Sequence, residues 1–247
     1  MSDVIKTSKI RGIVLAGGNG TRLYPLTHAI SKQLLPVYKN PMIYYPIATL
    51  ANMGIKDIMV ITAPDQLNMF RKALVGLQLD VNLTFRTQDA PRGLPEAFII
   101  AEEWVGADEV ALILGDNIII NNTPIRAEPN TIFTFEVAHP ERYGVVKTNG
   151  GYIEALVEKP KEFISKDAVI GLYIFRSIVC KLAKMLKPSE RGELEIVDLI
   201  KLVDSLDSRI QVHKLDGFWF DAGNHDDLLD CANLVRAIET RSSRKLL

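Results

Sequence analysis

Short apolar runs alternate with amphipathic stretches along most of this chain. We predict strands where β-branched and aliphatic residues run together, and helices where apolar residues recur every three or four positions. The predicted strands are residues 12–16, 58–62, 82–87, 110–114, 131–137, 143–148, 152–158 and 210–215. The predicted helices are residues 41–53, 65–75, 93–104, 177–186, 194–206 and 225–240. This alternation predicts an α/β protein whose helices cover a mostly parallel sheet.

Three of these strands, at 131–137, 143–148 and 152–158, follow one another without a helix, so we expect antiparallel strands that extend the sheet as a mixed one. Pro41 is predicted to begin the first helix, and Gly54 to end it as a C-terminal cap. No internal repeat, low-complexity linker or charge block marks a boundary in the chain. We therefore expect residues 1–247 to form a single domain.

The composition excludes several classes of protein. The formal net charge is −1, from 29 Lys and Arg against 30 Asp and Glu, so no broad nucleic-acid-binding surface is expected. Cys180 and Cys231 lack metal-ligand spacing, and a disulfide framework is not expected. No signal-peptide pattern opens the sequence, and no apolar run approaches about 18 residues. We expect a cytoplasmic protein that binds neither nucleic acid nor a membrane, in which any phosphate chemistry comes from a local site.

A glycine-rich loop, G-G-N-G at 17–20, follows the first predicted strand. Backbone N–H groups of such loops hold phosphate, and Arg22 and Lys32 supply two nearby cations that could neutralise a triphosphate. The pattern is neither a Walker A loop nor G-x-G-x-x-G, and the strand at 58–62 lacks the acid that a dinucleotide site needs. From the residues alone, a purely structural tight turn and a solvated helix charge at Lys32 stay open.

Two aspartates are candidate metal ligands. Asp116 follows the apolar strand at 110–114, at the strand end where open α/β sheets bind ligands. Mg²⁺ takes one or two carboxylates together with phosphate oxygens, so a second acid should converge from elsewhere. Asp221, in W-F-D-A-G at 219–223, is the candidate. An Asx turn at Asp116 and a helix N-cap near Asp221 are the structural alternatives.

Polar loops add candidates for base and sugar contacts. The amide of Gln88 can pair with both a donor and an acceptor on a pyrimidine, and Gly93 lets a backbone approach closely, although an ordinary polar loop is the alternative. The E-K-P-K run that begins at Glu158 equally fits a solvated strand exit. The Tyr143-Gly144 pair equally fits a bulge before a strand.

The run LAGGNGTRLYPLTHAISKQLLPVYKNPMIYYPI at 15–47 closely resembles the N-terminal signature of the glucose-1-phosphate thymidylyltransferases, a branch of the sugar nucleotidyltransferases. S-K-Q-L-L-P-V-Y at 31–38 is typical of this branch, since uridylyl and cytidylyl relatives usually have Pro-Lys at its start. L-G-D-N at 114–117, W-F-D-A-G at 219–223 and E-K-P-K at 158–161 match further motifs of the family. The resemblance runs from residue 12 to about 238.

The resemblance implies a single-domain, three-layer α/β/α Rossmann-like nucleotidyltransferase fold with a mixed, mostly parallel central sheet. It also implies transfer of a thymidylyl group from dTTP to α-D-glucose-1-phosphate, with Mg²⁺ as cofactor, giving dTDP-glucose and pyrophosphate for deoxysugar synthesis. A homo-oligomer, either a dimer or a tetramer, is the expected assembly. The alternatives are a uridylyltransferase that uses UTP and a non-catalytic sensor of sugar nucleotides.

The roles that the resemblance implies fall into four groups. They are catalytic for Arg22, Lys32 and Lys159; nucleotide-binding for Gly17, Gly20, Thr21, Gln33, Gln88 and Gly93; sugar-phosphate-binding for Asn117, Tyr143, Gly144, Glu158 and Val169; and Mg²⁺-binding for Asp116 and Asp221.

The chain also departs from the family pattern. The family usually continues G-L-A-Q-A where this chain has G-L-P-E-A at 93–97, which puts Glu96 near the base pocket. Ile170 stands where Thr is usual, and residues 121–130 can hold only a short loop in place of a helix-bearing insertion. The chain resembles the short form of the family, for which we expect an end product to inhibit only at the active site.

Overall fold

Residues 9–241 are described by a computed structural model of the chain. The strands are β1 (Ile10–Ala16), β2 (Pro36–Val37), β3 (Asn40–Pro41), β4 (Asp57–Thr62), β5 (Asn82–Thr87), β6 (Glu109–Leu114), β7 (Asn117–Ile120), β8 (Thr131–Glu136), β9 (Gly144–Asn149), β10 (Tyr152–Glu158), β11 (Asp167–Phe175), β12 (Gln211–Lys214) and β13 (Phe218–Asp221). The α-helices are α1 (Tyr44–Asn52), α2 (Leu67–Leu74), α3 (Glu96–Val105), α4 (Val179–Ala183), α5 (Ile196–Leu206) and α6 (His225–Arg241).

The central sheet has nine strands in the order β5-β4-β1-β6-β11-β8-β12-β10-β9. β1 is parallel to β4 and β6, β4 is parallel to β5, and β8 is parallel to β12. β11 is antiparallel to β6, β8 and β9, and β10 is antiparallel to β12 and β9. Within the described residues, seven of the nine strands therefore run in one direction and two in the other. This confirms the prediction of a mixed, mostly parallel sheet.

Both faces of the central strands are buried, and alternate side chains of each strand point to opposite sides. Ile13 and Leu15 of β1 pack in the cluster that contains α3, α4 and α5. Val14 and Ala16, the residues between and after them, pack in the cluster that contains α1 and α2. Because helices cover both faces, every position of such a parallel strand is apolar. The run at 12–16 has this pattern. The α/β/α layers are confirmed.

A third apolar cluster joins α6 to the strand pair β7–β13. Cys231 and Val235 of α6 are buried together with Ile118 of β7 and Ala222, which follows β13. A single turn, Gly115-Asp116, separates β6 from β7. The pair β7–β13 therefore lies just past the carboxyl end of a central strand, which is the edge at which the candidate site is expected.

The first helix begins later than predicted. Pro41 pairs with Pro36 in the hairpin formed by β2 and β3, and α1 starts at Tyr44. Proline suits a first helical turn, but it also suits a strand edge where no N–H is needed, so its presence does not decide between them. Gly54 follows the helix with φ of 83°, as the predicted cap requires.

The prediction of three successive antiparallel strands is correct for β9 and β10 and wrong for β8, which pairs with β11 and β12. The predicted strands omit β11, a buried strand of nine residues in the middle of the sheet, and the β7–β13 pair. The helix predicted at 177–186 is shorter, since α4 spans Val179–Ala183. Residues 121–130 form a loop without a helix, as predicted.

Within residues 9–241, no helix has both the length and the apolar character needed to cross a membrane.

Candidate active site

The glycine loop forms the turn after β1, at the carboxyl ends of the parallel strands. Gly20 has φ of 63°, which favours glycine, and a Cβ atom there would be crowded at 3.2 Å from Lys32 Cβ. Thr27 Oγ1 donates a hydrogen bond of 2.7 Å to Gly20 O. Thr21–Leu23 then form a single 3₁₀ turn in which Arg22 is exposed. The loop is held in shape by the segment that leads into Lys32.

Lys32 is mostly buried and paired. Its ammonium group contacts the carboxylate of Asp116, and the two side chains are only 12% and 10% exposed. Burial by itself raises the pKa of Asp116, but the charge of Lys32 and its hydrogen bond outweigh burial and hold that pKa below its ordinary value. Lys32 is thus not the solvated charge that the sequence left open. It places a cation beneath the glycine loop.

Asp221 approaches Asp116 from a distant part of the chain. β13 is antiparallel to β7 with Asp221 opposite Asn117, and Ala222 N donates to Asp116 O at 3.0 Å. The predicted alternative, an N-cap of the last helix, is wrong for Asp221. Asn224 does the capping instead, because its Oδ1 accepts a hydrogen bond of 3.0 Å from Asp227 N.

The two aspartates differ in ionisation. Burial and the negative charge of Asp116 raise the pKa of Asp221 to about 6, although Arg22 and Lys32 oppose this shift. Arg22 Nη2 lies 3.6 Å from Asp221 Oδ2, but the Arg22 side chain is largely exposed, which weakens its effect. Lys32 therefore neutralises one of the two carboxylates, and the negative charge of the other is poorly compensated.

This imbalance fits a divalent cation. Mg²⁺ binds through one or two carboxylates and completes its coordination with waters and substrate phosphate oxygens. Within residues 9–241, no group of three or more His, Cys, Asp or Glu side chains could hold a metal ion. A pair of carboxylates beside a glycine-rich loop suits Mg²⁺ better than Zn²⁺, which takes three or four protein ligands.

Asn117 lies inside the protein, although the resemblance implies a sugar-phosphate contact. It is 2% exposed, and its Oδ1 accepts hydrogen bonds from Trp219 Nε1 at 2.7 Å and Gly171 N at 2.9 Å. Its Nδ2 donates to Asp116 Oδ1 at 3.3 Å. Asn117 thus ties β7 to β11 and β13 and orients Asp116.

A cavity of about 540 Å³ opens next to Asp221. This volume lies in the range of small-ligand pockets. Seven of the predicted site residues line it: Arg22, Tyr143, Gly144, Glu158, Lys159, Val169 and Asp221. The fold therefore brings the loop after β1, the end of β10, the middle of β11 and the end of β13 to one place.

The exit of β10 has an unusual backbone. Lys159 has φ of 45°, and its N–H donates to Tyr143 O at 2.9 Å. Non-glycine residues with positive φ concentrate at functional sites. Burial raises the pKa of Glu158 although Lys159, with Nζ 3.8 Å from Glu158 Oε1, opposes the shift. A Cβ atom at Gly144 would lie 3.1 Å from Glu158 Oε2, so glycine leaves room for this half-buried carboxylate.

The base-side candidates lie beyond β5. Gln88 is 6% exposed, and its backbone N–H donates to Thr62 O at 2.8 Å. Its side chain lies against the glycine loop, because a Cβ atom at Gly17 would be 2.8 Å from Gln88 Oε1. Gly93 has φ of 103°, and a Cβ atom there would be 2.1 Å from Leu194 O. Close approach of the Leu194 backbone requires glycine at position 93, whereas the neighbour of Gly17 is the end of a flexible side chain.

Two predicted nucleotide contacts differ in their exposure. Thr21 is exposed in the turn after the loop. Gln33 is 2% exposed, and its Oε1 accepts a hydrogen bond of 2.6 Å from Ser31 Oγ. Gln33 therefore packs beneath the site and against Gly115. A Cβ atom at Gly115 would lie only 3.0 Å from Gln33 Cγ.

Arg191 is a charge at the site to which the sequence assigned no role. Its Nη2 lies 3.8 Å from Glu158 Oε1 and 2.9 Å from Glu195 Oε2. The sequence predicts a helix that begins at residue 194, and only the fold brings Arg191 to the exit of β10. The family-like motif R-G-E-L-E at 191–195 was the one available signal.

Comparison with known proteins shows the family of this chain. Residues 11–237 match the profile of the nucleotidyl transferase family. The chain belongs to this family. A glucose-1-phosphate thymidylyltransferase of Mycobacterium tuberculosis (strain ATCC 25618 / H37Rv) is 45% identical to this nucleotidyl transferase over 248 residues, which cover 96% of this chain and 86% of the relative.

Two further relatives show how far the similarity extends. A glucose-1-phosphate thymidylyltransferase of Neisseria meningitidis (serogroup A, strain Z2491) is 43% identical over 242 residues, covering 93% of this chain and 84% of the relative. A crystal structure from Bacillus anthracis, of a protein assigned to the same enzyme class and solved with sucrose, has a TM-score of 0.83 at 37% identity. That match covers 92% of this chain and 95% of the other.

Proposed function

We propose that this nucleotidyl transferase joins dTTP to α-D-glucose-1-phosphate, giving dTDP-glucose and pyrophosphate. The observation that carries the proposal is the buried contact between Lys32 and Asp116 beneath the glycine loop, with Asp221 converging on the same place. The relatives that are 43% and 45% identical and bear the thymidylyltransferase name support these substrates.

In the proposed reaction, a phosphate oxygen of glucose-1-phosphate attacks the α-phosphorus of dTTP. The bond from the α-phosphorus to the oxygen that bridges to the β-phosphate breaks, and pyrophosphate leaves with that oxygen. Positioning and charge neutralisation supply most of the acceleration in such transfers. Arg22 and Lys32 hold the triphosphate and the departing pyrophosphate. Backbone N–H groups of Gly17, Gly20 and Thr21 bind its oxygens, and Gln33 supports the loop from below.

Asp116 and Asp221 hold Mg²⁺ in this proposal. When bound, the ion supplies positive charge at the α-phosphate and helps to align the reacting groups. The raised pKa of Asp221 supports the assignment, because a carboxylate that Lys32 does not neutralise gains most from a divalent cation. Asn117 orients Asp116 from within the protein.

The cavity beside Asp221 receives the hexose phosphate. Lys159 positions the attacking phosphate, and Glu158 accepts hydrogen bonds from sugar hydroxyls. The Gly144 backbone contacts the hexose, with Tyr143 and Val169 as walls of the cavity. On the other side of the glycine loop, Gln88 and Gly93 recognise the thymine.

The remaining parts of the proposal concern the whole chain. Residues 1–247 act as one nucleotidyltransferase domain, which the continuous family match over residues 11–237 supports. The enzyme works as a homodimer or homotetramer in the cytoplasm and supplies dTDP-glucose for deoxysugar synthesis.

Pyrophosphate release, measured with dTTP, UTP and CTP against several sugar-1-phosphates, tests the proposal. We expect dTTP with glucose-1-phosphate to be the best pair. UTP should also react, because it lacks only a methyl group on the base, and one methyl in an apolar pocket contributes about 1–3 kcal/mol. A clear preference for UTP would favour the uridylyltransferase alternative, and a preference for CTP or a purine would refute both. Binding of a sugar nucleotide without any turnover would favour the sensor.

A further inference from the structure

Gln88 and Glu96 form a buried polar pair that the phosphate contacts do not use. They are 6% and 8% exposed, and Gln88 Nε2 donates to Glu96 Oε2 at 2.7 Å. The other carboxylate oxygen, Glu96 Oε1, accepts a hydrogen bond of 2.7 Å from Arg92 Nε. Arg92 itself is exposed. Both oxygens of Glu96 are therefore occupied, one by a guanidinium and one by an amide.

This pairing fixes which end of the Gln88 amide faces which way. An amide can present either its NH₂ group or its oxygen, and the two orientations have almost the same shape. An ionised carboxylate has no proton to donate and can only accept. The NH₂ group of Gln88 must therefore face Glu96, and the oxygen must face away from it.

The oxygen of Gln88 faces the glycine loop. It lies 2.8 Å from the position that a Cβ atom would occupy on Gly17. Within residues 9–241, both side-chain hydrogen bonds of Gln88 use its Nε2, which donates to Glu96 and, at 3.4 Å, to Gly93 O. Oε1 is thus the atom of Gln88 that is left for a ligand.

We infer that Glu96 is a positioning residue that selects the base: by holding the Gln88 amide in one orientation, it presents an acceptor to the base and favours uracil and thymine over cytosine. Uracil and thymine carry a donor, N3–H, whereas N3 of cytosine is an acceptor and would face the oxygen of Gln88 lone pair to lone pair. The inference rests on the proposed function, because it takes Gln88 as a contact of the nucleotide base.

The test compares dUTP with dCTP, which share the sugar, the triphosphate and C5–H and differ only at the pairing edge of the base. The variant is Glu96→Gln, whose amide can either accept from Gln88 or donate to it. The kcat/KM ratio of dUTP to dCTP, measured with glucose-1-phosphate, should fall roughly 10- to 100-fold, the effect of exchanging a buried hydrogen bond for an unmatched pair. Both a lower kcat/KM for dUTP and a higher kcat/KM for dCTP should contribute to this fall in the ratio.

Arg92→Gln is the matched control. It also changes one charge, but it leaves the Glu96 carboxylate as an acceptor. The dUTP-to-dCTP ratio of kcat/KM in Arg92→Gln should stay within about twofold of the wild-type ratio, as for an ordinary surface substitution. A Glu96→Gln ratio equal to that of the wild type, or an equal fall in Arg92→Gln, overturns the inference.

The double variant Gln88→Glu/Glu96→Gln reverses the pair while keeping its hydrogen bond, so it also covers the case in which Glu96→Gln folds poorly. The carboxylate at position 88 again presents an acceptor, so the preference for dUTP should return. A ratio that stays low contradicts the inference.

If the wild type releases no pyrophosphate with any pyrimidine triphosphate, the proposed function fails. Calorimetric affinities for dUTP and dCTP in the same variants still test the role of Glu96.

Discussion

The ammonium group of Lys32 contacts the carboxylate of Asp116, and this contact separates the ionisation of two neighbouring aspartates. The pKa of Asp116 falls below its ordinary value, whereas that of Asp221 rises to about 6 because burial and the charge of Asp116 act on it together. The site without metal therefore carries negative charge that no buried side chain fully offsets. The stability of the protein and its proposed activity are linked through this charge.

Replacing Lys32 with methionine should lower both stability and turnover. Methionine nearly preserves the shape of the side chain but leaves Asp116 buried without its counter-charge. Loss of one partner of a buried pair typically costs about 3–5 kcal/mol, and loss of the cation that we propose to bind phosphate should reduce kcat by roughly 10²-fold or more. Urea unfolding and pyrophosphate release measure the two effects.

Lys56→Met is the matched control for this variant. Lys56 contacts Asp80 in the same way, but the two side chains are 63% and 88% exposed. Exposed ion pairs add little to stability, so the free energy of unfolding should stay nearly unchanged. Equal destabilisation by the two substitutions would contradict the burial argument.

Asp221→Asn should make the metal-free protein more stable at pH 7–8 while reducing turnover by roughly 10²- to 10³-fold. The pKa of Asp221 is higher in the folded than in the unfolded chain, so the ionised carboxylate destabilises the fold wherever the pH exceeds both values. Asparagine removes that charge, which should stabilise the fold by about 1–3 kcal/mol.

The pH dependence of this gain in unfolding free energy tests the explanation more directly than its size at one pH. The gain should be complete above the folded pKa of about 6, shrink as the pH falls, and vanish below the pKa of an unfolded aspartate. Unfolding free energies of both proteins without metal, from pH 4 to pH 8, give the curve. A gain at pH 4 as large as the gain at pH 8, or a loss at pH 8, would show that the charge is compensated in another way. Near-normal turnover at saturating Mg²⁺ would exclude Asp221 from the proposed metal site.

Gly93→Ala should destabilise the protein more than a matched substitution at Gly54. Both glycines have positive φ, 103° and 83°, but a Cβ at Gly54 meets nothing within 4 Å, whereas a Cβ at Gly93 collides with the Leu194 backbone. Gly54→Ala should cost only the conformational strain, about 1–2 kcal/mol. Gly93→Ala should cost more and should raise KM for dTTP more than KM for glucose-1-phosphate. Equal unfolding free energies for the two variants would argue against a rigid contact between these loops.

Trp219→Phe should weaken the site through Asn117. The substitution keeps an aromatic ring but removes the Nε1 donor that lies 2.7 Å from Asn117 Oδ1. Asn117 Oδ1 still accepts from Gly171 N, so loss of the Trp219 hydrogen bond should cost about 0.5–1.5 kcal/mol, and kcat should fall because Asn117 orients Asp116. Trp104→Phe, on the other face of the sheet, is the control and should leave kcat unchanged. A Trp219→Phe enzyme with normal kcat would show that Asp116 needs no such support.

Local patterns in the sequence determined much of the framework. The strand β1 could be predicted from its apolar residues, and the turn after it from glycines that a Cβ would crowd at Gly17 and Gly20. Asp116 could be placed at the end of β6 because a buried strand must stop where a polar turn begins. Such features depend on residues close together in the chain, whose side-chain periodicity and backbone conformation act within a few positions.

Only the tertiary structure decided which of these residues meet. Lys32 and Asp116 are 84 positions apart, and Trp219 and Asn117 are 102 apart. Motif similarity named Asn117 as a sugar-phosphate contact, but pairing of β7 with β13 and β11 turns its side chain inward to hold Asp116. The orientation of the Gln88 amide likewise follows from Glu96, the first residue of the next helix. Burial and hydrogen-bond partners depend on how distant strands pair, and a pattern with the period of one strand or one helix carries no information about that pairing.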